Sequence, residues 1–65
     1  MNWNKELEEK VMQTENINRQ EAIRRLDLVV RKCVEVFKTP IEKVYLDWNK
    51  EKKIIKVNIK VEVFK

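Results

Sequence analysis

Lys-Ile-Ile-Lys-Val-Asn-Ile-Lys-Val-Glu-Val-Phe-Lys, residues 53–65, alternates apolar and polar side chains almost without error from Ile55 onward. Successive side chains on a strand point to opposite faces. This period of two therefore predicts a long β-strand whose apolar face carries Ile55, Val57, Ile59, Val61 and Val63. Upstream, residues 41–48 form a second, shorter run with Val44, Leu46 and Trp48 on one face. The two runs are joined by a lysine-rich stretch, which predicts an antiparallel hairpin. The chain contains no glycine, so an Asn-Gly tight turn is unavailable. A four-residue loop near positions 49–52 is expected instead, with Asn49 tolerating an unusual backbone angle. Two registers, Leu46 opposite Ile55 or Leu46 opposite Val57, bring all the apolar side chains to one side, facing the helices. The pattern leaves both open.

A lone two-stranded sheet is marginal in water, so the hairpin needs a cover. The preceding residues supply two amphipathic helices. Asn18 followed by Glu21 has the spacing of a helix-capping pair, and an apolar run at helical period begins directly after it. Ala22, Ile23, Leu26, Val29, Val30, Cys33, Val34, Val36 and Phe37 fall on one broad stripe, expected to be core, while Arg24, Asp27, Leu28, Arg31, Glu35 and Lys38 lie opposite. Thr39-Pro40 ends this helix, because proline disfavours helical geometry in the residue before it. An earlier helix over residues 3–13 is expected, with Asn2 as its cap and Glu6, Glu8 and Glu9 in the early turns where the helix dipole favours acids. Its stripe of Trp3, Leu7 and Val11, with Met12 beside them, is narrow and reads as peripheral. The order helix, helix, strand, strand predicts a single α+β domain over residues 1–65, two-layered, with an antiparallel hairpin covered on one face.

A chain of 65 residues buries only about 60% of its unfolded surface. Small folds compensate with disulfides, a metal or a second copy. One cysteine and no histidine disfavour the first two, which leaves association, and a homodimer is expected. The second strand can extend to twelve residues against about eight in the first, so backbone groups near its end lack an intramolecular partner. Pairing of these strands into a four-stranded sheet across the dimer is one arrangement that satisfies them.

The chemistry-bearing residue types are sparse. Histidine, serine and glycine are absent, which removes the usual general base, the serine nucleophile and the glycine-rich phosphate cradle. The expectation is a non-catalytic protein without cofactor or metal. Cys33, inside the apolar stripe, reads as a core residue. The 43% apolar content is that of a globular domain, and the 40% charged content leaves the solvent faces almost wholly ionic. No run approaches the length of a membrane span, and the first ten residues lack the apolar stretch of a secretion signal, so no membrane partner and a cytoplasmic location are expected.

Net charge is +4, and the excess lies in the hairpin: residues 41–65 carry seven basic and four acidic side chains, against eight and seven in residues 1–40. On the outer face, Lys43, Tyr45 and Asp47 lie across from Ile54, Lys56, Asn58, Lys60 and Glu62. An aromatic ringed by lysines can stack a base while the lysines hold phosphates, so Lys43, Tyr45, Lys56 and Lys60, with the turn lysines Lys52 and Lys53, form a candidate nucleic-acid face. Lysine is also the ordinary means of keeping a strand face soluble. Phe64, on the outward face near the end of an underpaired strand, and Trp3, which can pack either on the hairpin or on a partner, are candidate contact points for a second subunit or another protein. The leading functional expectation is a small interaction protein working by self-association and protein binding, and the alternative is nucleic-acid binding through the lysine-rich face.

Overall fold

Asparagine side chains set where both helices begin. In the computed structural model, which describes residues 2–60, helix α1 spans Lys5–Glu15 and helix α2 spans Arg19–Phe37. Asn18 Oδ1 accepts from the Glu21 amide at 2.8 Å, the cap expected from the Asn18–Glu21 spacing. Such a cap stabilises a helix by about 1 kcal/mol. The first helix is capped two residues later than expected: Asn4 Oδ1 accepts from the Leu7 amide at 3.0 Å. Asn2 and Trp3 stay outside it.

Both helices end on a residue with left-handed backbone, Asn16 at φ 53° and Lys38 at φ 51°. At α1 the Asn16 and Ile17 amides both donate to the Met12 carbonyl, and at α2 the Lys38 and Thr39 amides donate to Val34. Asparagine adopts this geometry readily. Lysine does so at a cost of roughly 1 kcal/mol. Pro40 then carries the chain out in extended geometry, and a 3-10 turn, Ile41–Lys43, leads into the hairpin.

Strand β1 (Val44–Asn49) pairs antiparallel with strand β2 (Ile54–Ile59), which confirms the α+β, helix-helix-strand-strand architecture. Of the two open registers the structure adopts the second, with Leu46 opposite Val57, Val44 opposite Ile59 and Trp48 opposite Ile55. Four residues, 50–53, form the loop. Asn49 contributes through its side chain, whose Oδ1 accepts from the Glu51 and Lys52 amides at 3.0 Å each. The unusual backbone angle belongs to Lys53, at φ 54°, and not to Asn49.

The core is made of Trp3, Leu7, Val11, Ala22, Leu26, Val30, Cys33, Val44 and Leu46. This corrects three expectations. Helix α1 is not peripheral: Leu7 is fully buried and Val11 nearly so, because α1 packs on both α2 and β1. The stripe of α2 is narrower than its composition suggested, since Ile23, Val36 and Phe37 are exposed at 36%, 60% and 58%. Its last turn finds nothing to cover it among the described residues. Finally, the helices lie over β1 and not over the whole hairpin. Val44 and Leu46 are buried, yet their β2 partners Ile59 and Val57 are half-buried and exposed respectively. Val61, Val63 and the proposed extension of β2 beyond Lys60 lie outside the described residues.

Candidate functional site

Strand β1 has neighbours on both sides, and this was not expected. On the side away from β2, Trp3 forms a parallel bridge to Leu46, whose amide donates to the Asn2 carbonyl at 2.7 Å. Asn2 Nδ2 also donates to the carbonyls of Ile41 and Val44, at 2.7 and 2.9 Å. Of the two places open to Trp3, the hairpin or an interaction surface, it takes the first: it is 7% exposed and part of the core. Its indole Nε1 donates at 2.9 Å to Glu8 Oε2. Glu8 is the one buried charged residue described, 2% exposed, and its other carboxylate oxygen accepts from Arg19 at 3.3 Å. A carboxylate can be buried only when its lone pairs are satisfied, and here an indole and a guanidinium do so. Reading Glu8 as one acid among three in an early helical turn gave no sign of this role.

The outer side of β2 is different. Because the Leu46 amide points to Asn2, alternation along β1 turns the backbone groups of Lys43, Tyr45 and Asp47 toward β2, and the Lys60 amide donates to the Lys43 carbonyl at 2.9 Å accordingly. Their partners Lys56, Asn58 and Lys60 therefore bond inward. The N–H and C=O groups of Ile55, Val57 and Ile59 point the other way, where the sheet has no further strand among the described residues. The side chains of the same three residues share the face that carries Val44 and Leu46. Ile55 packs against the core, but Val57 is 38% exposed. An open edge and a partly covered apolar face thus coincide on one strand.

At the turn end, an open groove of about 280 Å³ lies between the end of α1 and the hairpin, with Val11, Trp48, Ile54 and Ile55 among its walls. Trp48, expected in the core, is half-buried here and packs against the core from its edge. Arg25 also lines the groove and is held by Glu15 at 3.4 Å and Glu21 at 3.8 Å.

The lysine-rich face is assembled in part. The register sets Tyr45 opposite Asn58 and Asp47 opposite Lys56, and the Lys60–Lys43 bond places those two lysines in the next row. Lys43, Tyr45, Lys56 and Lys60 therefore share the outer face, with Tyr45 39% exposed. Lys52 and Lys53 stand in the turn, Lys53 roughly 10 Å along the strand from Lys56 and roughly 23 Å from Lys60. Asp47 interrupts the basic surface between them. Phe64 lies outside the described residues. Cys33 is buried, in keeping with a core role. No described helix is long and apolar enough to cross a membrane.

Comparison with known proteins yields no match among family models, curated proteins or solved structures.

Proposed function

We propose that this chain is a small non-catalytic interaction protein that acts by protein–protein binding, through self-association and through a protein partner, with β2 as the working edge. The observation that carries this reading is the coincidence on β2 of backbone groups at Ile55, Val57 and Ile59 that meet no further strand among the described residues with an apolar face that the helices cover only in part. Lys56 and Lys60 put charge on the outer face of this edge, but on the apolar face of β2 no charge, proline or covering element stands over Val57 among the described residues. Strand addition to an edge of this kind takes affinity from main-chain hydrogen bonds and specificity from alternate side chains.

Sedimentation velocity and light scattering across roughly 1–500 µM are expected to show a mass rising from one copy to two. Val57→Lys puts a charge on the apolar face of the edge and is expected to weaken association roughly tenfold or more, with the helical circular dichroism signal retained. A constant one-copy mass across the range overturns the reading.

A second reading rests on the outer face. Lys43, Lys56 and Lys60 share that face with Tyr45, which is 39% exposed. A single-stranded nucleic acid offers a base for Tyr45 to stack on and phosphates for the lysines around it. Titration against single-stranded DNA, duplex DNA and RNA is expected to give binding that weakens with salt, at a log–log slope of roughly −0.7 to −0.9 per phosphate contact. The Lys56→Glu, Lys60→Glu double variant is expected to lose that binding while keeping its fold. Undiminished binding by the variant removes this reading.

A further inference from the structure

We infer that the occupant of the β2 edge is a second copy of this chain, joined antiparallel about a two-fold axis through Val57 to give a continuous sheet ordered β1-β2-β2-β1. The inference rests on the reading of β2 as the working edge and adds to it the identity of the occupant and the register.

The geometry narrows the register step by step. An antiparallel pairing that keeps the apolar face apolar must place odd-numbered residues opposite odd-numbered ones, because a slip of one residue sends the lysines to the helix side. The outward-pointing backbone groups, those of Ile55, Val57 and Ile59, are also odd-numbered, so the same parity makes the hydrogen bonds. The axis must then pass through a residue, and those near the middle of the described strand are Lys56, Val57 and Asn58. Axes nearer either end of the strand pair fewer of its described residues.

Charge separates the three. An axis through Lys56 sets that lysine against its own copy, and an axis through Asn58 sets Lys56 against Lys60 twice. Like charges directly opposite are destabilising. An axis through Val57 sets Lys56 against Asn58, Ile54 against Lys60, Ile55 against Ile59 and Val57 against itself, with no like-charged pair. Each of the Ile55–Ile59, Val57–Val57 and Ile59–Ile55 pairs exchanges two N–H···O=C bonds in this arrangement. The axis stands perpendicular to the sheet, so both helix layers lie on the same side. Val57, exposed in the single copy, packs against its counterpart.

Asn58→Asp tests the register by the sign of its effect. With the axis through Val57 it creates two Asp–Lys pairs, and the dimer dissociation constant is expected to fall roughly 2- to 30-fold at low salt. High salt should erase the gain. With the axis through Asn58 the two new aspartates face each other and association weakens, and with the axis through Lys56 residue 58 faces Ile54 and nothing is gained. Either result overturns the inference. A second measurement uses single cysteines at 56, 57 and 58 in a Cys33→Ala background. Facing residues in a hydrogen-bonded pair have Cα atoms about 5.5 Å apart, within the roughly 4.4–6.8 Å that a disulfide spans. Oxidation is expected to give a covalent dimer from Val57→Cys in preference to Lys56→Cys and Asn58→Cys. If the parent chain sediments as one copy throughout, the interaction reading falls as well. If it dimerises but cross-links elsewhere or nowhere, only the present inference falls.

Discussion

Trp3→Ala is expected to leave the chain largely unfolded at 25 °C. Truncating a buried tryptophan costs about 3–5 kcal/mol. A domain of this size has roughly that much stability in total. Trp3 is 7% exposed although it precedes α1, and its indole is one of two donors to the buried Glu8 carboxylate, at 2.9 Å. Its loss opens the core and leaves that carboxylate with Arg19 alone, whose side chain is 47% exposed. Trp3→Phe separates the two effects. It keeps most of the apolar volume while removing the N–H, for an expected loss of about 1–3 kcal/mol. Urea unfolding followed by far-ultraviolet circular dichroism measures both variants. A Trp3→Ala chain within about 1 kcal/mol of the parent would mean that Trp3 does not belong to the core.

Two leucines on α2 provide the second large effect, with its own control. Leu26 is fully buried and Leu28 is 59% exposed. Leu26→Ala is expected to cost about 2–5 kcal/mol, and Leu28→Ala to fall within about 0.5 kcal/mol of the parent. Helix propensity changes equally in both, so the difference between them reads burial alone. Similar losses from the two substitutions would contradict the side of α2 that faces the core.

The sequence carried the parts of this fold that repeat. Two amphipathic helices, the Asn18 cap, the hairpin, a four-residue loop and two admissible registers all follow from periodicity and from asparagine and proline chemistry. What it did not carry depends on single contacts. Two residues cannot show a period, so the bridge from Trp3 to Leu46 was invisible and Trp3 was assigned to the helix that follows it. The apolar face of β2 was correctly placed on the helix side, but alternation reports which way a side chain points and not whether anything lies above it. Two slender helices cover one strand and not two. For the outer face, the register brought Lys43, Tyr45, Lys56 and Lys60 together and also set Asp47 against Lys56, so the basic surface is less continuous than the lysine count suggested. The left-handed residues Lys38 and Lys53 escaped notice because no residue preference marks them.

The hydrogen bond between the Leu46 amide and the Asn2 carbonyl bears on how the chain is made. At about 5–20 residues per second, residue 46 leaves the ribosome's catalytic centre roughly 2–9 s after residue 2. Throughout that interval Trp3 has no β1 to pair with, and the faces of α1 and α2 that carry Leu7, Leu26 and Val30 have no sheet beneath them. Trp3 is thus among the last of the core residues to find its partners. A ribosome paused before residue 44 holds an α1 too short to be stable alone and a core that still lacks Val44 and Leu46.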